Sequence, residues 1–230
     1  MDLLKFSESL EASAPANLPQ KLVDHLPVAQ AAAAKNLEAA KARFGPDLTS
    51  LQSQLRHAQT PAVPVGSKLT RLRHIAGERS RIFASNSACG SGCNHCCHIE
   101  ATVPKSEAKL IAKAIGRRLA EPDERLSIET IAGRRKFFGV PCSFLVDGKC
   151  SIYVHRPLVC RTLVNLDSVD TLCRLVPGVD VPVPYLQAVE MQGHFAYLTQ
   201  GEQYADIREW FPTACVPCGT SRIDMQSRSA

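Results

Sequence analysis

Apolar residues at helical spacing dominate the first part of the chain. The segment VAQAAAAKNLEAAKARFG joins strong helix formers to a stop signal at Gly45-Pro46. In the next segment, PDLTSLQSQLRHAQ, Leu48, Leu51 and Leu55 fall on one helical face. These patterns predict an N-terminal helical hairpin within residues 1–60. We expect its apolar face to pack on the rest of the chain or on a protein partner.

A linker and further helices follow. Residues 61–67 contain two prolines and a glycine, which is typical of a linker. Ser67 is predicted to cap a helix whose apolar residues run at helical spacing from Leu69 to Phe83. Farther along, SEAKLIAKAIGRRLAE predicts an amphipathic helix, and ETIAGRRKFFG predicts a weaker one because it contains Gly133.

The second half of the chain predicts one hairpin and more helix. Asp147-Gly148 separates two short apolar runs, which is a hairpin signal. The segments PYLQAVEMQGHFAYLTQ and YADIREWF are predicted helices, and the tail after Cys218 is predicted to be disordered. The predicted fold class is mainly α with one small β-hairpin: an irregular cysteine-cluster domain plus the N-terminal helical hairpin. The predicted boundaries are a helical extension (1–60), a linker (61–67), a cysteine-cluster metal-binding domain (68–214) and a Cys-x-x-Cys segment with a flexible tail (215–230).

Composition and charge narrow the class of protein. Hydrophobic residues make up 45% of the chain and charged residues 21%, which is typical of a globular protein with a buried core. The net charge of +5 is mild, and the basic groups near Arg71, Arg117 and Arg134 lack interleaved aromatic residues, so nucleic acid is not favoured as a partner. Neither a secretory signal nor an apolar run of about 18 residues is present, so we expect a cytoplasmic protein without a membrane partner.

Ten cysteines in a reducing compartment are typical of metal or redox sites rather than of disulfides. They form a C-x-x-x-C-x-x-C-C motif, a dispersed set and a final C-x-x-C pair: Cys89, Cys93, Cys96 and Cys97, then Cys142, Cys150, Cys160 and Cys173, then Cys215 and Cys218. Neighbouring side chains usually point apart. Cys96 and Cys97 therefore favour two metal centres or one multinuclear cluster over a single zinc tetrahedron, unless one of the two is free.

Basic residues accompany the dispersed cysteines. Pro157 suits the first turn of a helix, which places Cys160 and Arg161 in that turn, where free N–H groups favour a thiolate. Arg156 and Arg161 are predicted to contact the bound group, because they can offset the negative charge of four thiolates around a divalent centre. A histidine can replace a cysteine as ligand, and the candidates are His95, His98 and His155.

The motifs CGSGCNHCC and CSFLVDGKCSIYVHRPLVCR, followed by Cys173-Arg174, resemble the YkgJ-type cysteine-cluster family, a zinc- or iron-chelating domain. The resemblance covers roughly residues 85–175. It implies eight metal ligands: Cys89, Cys93, Cys96, Cys97, Cys142, Cys150, Cys160 and Cys173. Two features depart from the family pattern. Three residues separate the first two cysteines, where the family has two, and Cys215 and Cys218 lie outside the shared motif.

The resemblance also extends to flagellin lysine N-methylase, which carries a similar cluster and methylates protein lysines. This chain has no glycine-rich loop after a strand to place S-adenosylmethionine, so a methyltransferase-like enzyme is a weaker expectation. The leading hypothesis is a cytoplasmic metalloprotein that binds an iron–sulfur cluster or zinc. The main alternative is a structural zinc module whose N-terminal helices bind a protein partner, since zinc ligated by four cysteines forms a closed site. No catalytic residue is assigned.

Overall fold

The computed structural model describes residues 14–58, 63–90 and 92–213. The helices in these ranges are α1 Gln20–Val23, α2 Leu26–His57, α3 Val65–Ala84, α4 Lys105–Ile115, α5 Ile128–Ile131, α6 Leu158–Thr162, α7 Val189–Leu198 and α8 Ile207–Trp210. The strands are β1 Thr102–Pro104, β2 Leu145–Val146, β3 Lys149–Cys150 and β4 Tyr204–Asp206. The predicted fold class, mainly α with a small hairpin around an irregular cysteine-rich region, is confirmed.

The predicted N-terminal pair of helices is one long helix, α2, with a kink where a hairpin would need a loop. Phe44 has non-helical angles, φ −123° and ψ 20°, just before Pro46. Proline lacks the backbone N–H and its ring crowds the preceding turn, so the helix bends there. Leu48, Leu51 and Leu55 are buried against α3, and the apolar face of α2 therefore lies in the chain's own core.

Two apolar cores support the cysteine-rich loops. The helical core lies between α2, α3 and α7, and its buried residues include Leu55, Leu72, Ile75 and Met191. The Trp210 core surrounds β1, α4 and α8, and its buried residues include Val103, Ile111, Phe144, Trp210 and Phe211. Cys89 packs against the helical core, whereas Cys142, Cys150 and Cys160 pack against the Trp210 core.

The segment YADIREWF corrects the prediction of a single helix. Tyr204–Asp206 forms strand β4, which pairs antiparallel with β1 so that Val103 lies opposite Ala205. Asp206 then caps α8, because its carboxylate accepts the backbone N–H of Arg208 and Glu209 completes the capping box. The strand joins residues about a hundred positions apart, and this long-range pairing overrides the local helical pattern.

The structure confirms one of three further predictions and corrects the other two. The β2–β3 hairpin is confirmed, and its turn residues Asp147 and Gly148 have φ of 48° and 72°, as a type I′ turn requires. The helix predicted around Gly133 is reduced to α5, because the chain turns at Gly133 with φ 78°. Ser67 lies inside α3 rather than at its cap, since α3 begins at Val65.

None of the helices in the described ranges is long and apolar enough to cross a bilayer. Cys215, Cys218 and the predicted tail lie outside the described residues.

Candidate metal centre

Short backbone hydrogen bonds place the first four cysteines. The loop after α3 is fixed where the N–H of Ala88 donates to the carbonyl of Asp167 at 2.7 Å. Gly92 adopts φ 95°, which turns the chain toward a 3₁₀ turn, His95–His98. This turn carries Cys96 and Cys97, so both thiols project from one rigid, tightly wound segment.

The dispersed cysteines are brought to the same place by the hairpin and α6. The N–H of Cys142 donates to the carbonyl of Cys97 at 2.7 Å, which joins the two motifs directly. Cys150 ends strand β3, and Cys160 lies in α6, just after the cap residue Pro157. The predicted position of Cys160 in the first turn of a helix is therefore confirmed.

Six cysteines line one cavity of about 340 Å³. Its apolar lining includes Phe144, Ile152 and Ile207, which belong to the Trp210 core. The cysteines that line this cavity, which we call the cysteine cavity, are Cys93, Cys96, Cys97, Cys142, Cys150 and Cys160. A pocket with thiols on several sides and apolar residues between them suits a sulfur-ligated group larger than one ion.

Asn165 holds the other two cysteines. Its backbone N–H donates to the sulfur of Cys89 at 3.2 Å, and its side-chain amide donates to the sulfur of Cys173 at 3.3 Å. The amide orientation is set because the side-chain oxygen accepts the N–H of Asp167 at 2.9 Å. Asn165 is fully buried, so both donors are fixed. Hydrogen bonds to sulfur of this kind are typical of thiolate ligands.

Several of the cysteines have a raised pKa. Burial raises the pKa of Cys160 well above that of an ordinary thiol, and the nearby thiols of Cys96 and Cys142 raise it further. Burial likewise raises the pKa of Cys173 to about 12. For Cys96 the largest cause of a raised pKa is the side-chain interaction with Cys97, followed by burial. Metal binding must therefore displace protons from these groups.

The Cys160 result corrects one sequence-based expectation. The first turn of α6 was expected to favour a thiolate there, but burial and the nearby thiols raise the pKa of Cys160. The adjacent thiols of Cys96 and Cys97 also interact with each other, where neighbouring side chains were expected to point apart. Both residues lie in the 3₁₀ turn His95–His98.

The two predicted cofactor-binding arginines occupy different positions. Arg156 lines the cysteine cavity, stacks 4.1 Å from the ring centre of Tyr153 and donates to the hydroxyl of Ser80 at 3.1 Å. Its charge lowers the pKa of Cys96, Cys150 and Cys160, against the larger effect of burial. Arg161 instead donates to the carbonyls of Arg156 at 2.9 Å and Val154 at 2.6 Å. It therefore braces the segment that carries Arg156.

The three candidate histidines lie at the edge of the site. His95 pairs with the carboxylate of Asp170 at 2.8 Å, and the Nδ1 of His98 lies 3.1 Å from the carbonyl of Asn94. None of His95, His98 and His155 is among the described residues that line the cysteine cavity.

Sequence reasoning missed Arg208, which is buried beneath the loops. Its guanidinium donates to the carbonyls of Cys97 at 3.1 Å, Val140 at 2.7 Å and Pro141 at 3.2 Å, and to the carboxylate of Asp206 at 2.8 Å. It ties the loop before Cys142 to the loop after Cys97. Asn165 was missed as well. The one sequence signal near Arg208 is the Asp206-x-x-Glu209 capping box, and a lone asparagine gives none.

The eight described cysteines are free of disulfides. Within the described residues, no three Cys, His, Asp or Glu side chains already form a site for a single ion. The thiols thus surround spaces rather than converge on one point.

Comparison with known proteins agrees with this picture. Residues 88–175 match the model of the CxxCxxCC family, described as "Putative zinc- or iron-chelating domain". The match contains all eight described cysteines and both predicted arginines, and it supports metal binding by zinc or iron. No curated protein and no solved structure matches the chain.

Proposed function

Because residues 88–175 carry the zinc- or iron-chelating domain of the CxxCxxCC family, we propose that the chain is a metalloprotein that holds an iron–sulfur cluster in the cysteine cavity. The observation that carries this proposal is the cavity of about 340 Å³ with six thiols in its lining. Four sulfurs around one zinc ion lie about 3.8 Å apart, because each Zn–S bond is about 2.3 Å. An iron–sulfur cluster keeps its ligands farther apart, since iron and sulfide atoms lie between them.

The surroundings of the cavity support a cluster in three ways. Arg156 supplies a positive charge beside the thiols of Cys150 and Cys160, which offsets the charge of bound thiolates. Phe144, Ile152 and Ile207 give the cavity an apolar wall. Arg208 fixes the carbonyls next to Cys97 and Cys142. When bound, an iron–sulfur cluster supplies one-electron redox chemistry whose potential depends on burial and on hydrogen bonds to sulfur.

The test is metal analysis combined with a visible spectrum after purification under nitrogen. We expect iron in the wild-type protein and broad absorbance near roughly 400 nm, from charge transfer between thiolate and iron. Cys160→Ser should lose both the iron and the absorbance. The control is Val154→Ser, which changes an exposed side chain of the same motif and should keep both. A colourless wild-type protein that contains zinc and no iron would overturn the proposal.

A further inference from the structure

We propose that the eight cysteines form two separate metal centres, and that the second centre, outside the cluster, binds one divalent zinc-like ion through Cys89, Cys93, Cys96 and Cys173. We call these four residues the compact set. The cavity set, which holds the cluster, then comprises Cys97, Cys142, Cys150 and Cys160. Cys93 and Cys96 line the same cavity but are assigned to the compact set. This inference rests on the proposed function for the cavity set alone.

Asn165 is the first observation behind this division. One residue donates its backbone N–H to Cys89 and its side-chain amide to Cys173, at 3.2 Å and 3.3 Å. Both donors belong to one buried residue, so the sulfurs of Cys89 and Cys173 share a single support. In the cavity set, the thiols stand around an open space of about 340 Å³. Within the described residues, no three cysteine side chains already form an ion site, so the sulfurs of the compact set would converge when the ion binds.

Packing separates the two sets independently of these hydrogen bonds. Cys89 packs against the helical core, which is formed by α2, α3 and α7. Cys142, Cys150 and Cys160 pack against the Trp210 core. One ligand of the compact set and three ligands of the cavity set are therefore anchored to different parts of the fold.

The adjacent cysteines are assigned by what each one contacts. The carbonyl of Cys97 accepts the N–H of Cys142 at 2.7 Å and a bond from Arg208, which ties Cys97 to the cavity set. Cys96 and Cys173 are the two described cysteines that line a second cavity, of about 280 Å³. Cys96 therefore completes the compact set and borders the cavity set.

The compact set has the chemistry that zinc selects. It provides four sulfur ligands, including the close pair Cys93-x-x-Cys96, and two N–H donors from Asn165. Binding converts four thiols to thiolates, and four protons leave to solvent for each divalent ion bound.

The test compares Cys173→Ser with Cys142→Ser in the full-length chain, purified under nitrogen, with zinc, iron and the visible spectrum measured. Cys173→Ser should lose zinc at least about tenfold and keep its iron and absorbance, since one missing ligand opens only the compact set. Cys142→Ser should show the reverse. If wild type contains iron and no zinc, or if one well-folded variant loses both metals, the inference is overturned.

A second measurement needs no variant. X-ray absorption at the zinc edge of the wild-type protein should show a shell of four sulfurs at about 2.3 Å. A shell that contains nitrogen or oxygen ligands would overturn the inference even if the cysteine variants fail to fold. The two proposals fail separately: a wild-type protein without iron contradicts the cluster, and one without zinc contradicts the second centre.

Discussion

The compact set and the cavity set present the same ligand atom in different surroundings. In the compact set, one buried residue, Asn165, donates to the sulfurs of both Cys89 and Cys173. In the cavity set, Arg208 fixes carbonyls beside Cys97 and Cys142, and the thiols face a common space. Thiolate chemistry alone does not choose between zinc and an iron–sulfur cluster. In the two-centre proposal, the two sets therefore differ in the residues that support them, Asn165 for one and Arg208 for the other.

Arg208→Met should have the largest effect on unfolding free energy and on metal content, and the metal lost should be that of the cavity set. The substitution removes a buried guanidinium, so the carboxylate of Asp206 loses its ion-pair partner and keeps, among the described residues, only the backbone N–H groups of Ala101 and Arg208. The carbonyl of Val140 loses this donor as well. We expect a loss of about 3–5 kcal/mol in unfolding free energy, as for a broken buried ion pair, together with loss of iron. Denaturant unfolding under nitrogen and metal analysis measure both. Arg81→Met, on the exposed face of α3, is the control. Loss of zinc with full retention of iron would show that Arg208 supports the compact set rather than the cavity set.

Glu107→Gln should change the pH dependence of stability on the cavity side. Glu107 is fully buried, and its carboxylate accepts the N–H of Leu158 at 2.8 Å, at the start of the helix that carries Cys160. Burial raises the pKa of Glu107 to about 7, against the opposing effect of Arg73. The folded protein therefore holds a proton that the unfolded chain releases above about pH 4.5.

Wild-type stability should thus fall as pH rises from about 4.5 to about 7, by up to about 3 kcal/mol, because the raised pKa favours the folded state only while the carboxyl stays protonated. The glutamine keeps an oxygen that can accept the N–H of Leu158 and does not titrate. The difference in unfolding free energy between variant and wild type should grow across that pH range and stay constant above it. A constant difference throughout would show that Glu107 is ionised in the folded protein.

Asn165→Asp should weaken zinc binding by the compact set. The change keeps the oxygen that accepts the N–H of Asp167 but removes the amide that donates to Cys173. We expect the zinc affinity to fall by about 10–100-fold, with the iron content unchanged. Competition with a chelator of known zinc affinity measures the change. Asn36→Asp is a matched control, because its amide donates to the carbonyl of Leu166 and to Ser168 rather than to sulfur. An equal loss in both variants would mean that the sulfur bond is not the cause.

Gly77→Ala should have the smallest effect. In a helix interior, alanine is more stable than glycine by about 1 kcal/mol. At Gly77 the added Cβ would lie 2.8 Å from a nitrogen of Arg161, whereas at Gly66 it meets one carbon at 3.9 Å. Both glycines belong to α3. Gly66→Ala should therefore raise the stability of the protein above that of wild type. Gly77→Ala should leave it near the wild-type value, because Arg161 must shift to make room for the new Cβ. Thermal unfolding compares the two. Equal stabilisation would show that Arg161 does not brace the cavity side.

Residue spacing and turn residues within a segment predicted the helices and the hairpin that depend on nearby sequence. Helical spacing located α3 and α4, and the Asp147-Gly148 turn located the β2–β3 hairpin. The strand at Tyr204–Asp206 was missed because its partner, β1, lies about a hundred residues away in sequence. The kink at Phe44 replaced a predicted loop, since burial of Leu48, Leu51 and Leu55 on α3 keeps the helix going past Pro46.

For the candidate site as well, only part could be predicted from the sequence. From the adjacent pair, Cys96 and Cys97, the sequence predicted two centres or one multinuclear cluster on the premise that the two side chains point apart, whereas in the structure the two thiols interact. The supporting residues could not be predicted, because Asn165 and Arg208 act through backbone atoms and sulfurs that only the folded chain brings to them. A single asparagine or arginine also has no periodic pattern that would mark it in a sequence.

The most direct test of two centres in one chain is native mass spectrometry of the full-length protein, purified under nitrogen. The account predicts one dominant species, whose mass exceeds that of the bare chain by one iron–sulfur cluster plus one zinc ion. Release of the cluster should leave a second species that still carries zinc. A dominant species with a single ion, or with a cluster and no zinc, would contradict the division of the eight cysteines into two sets.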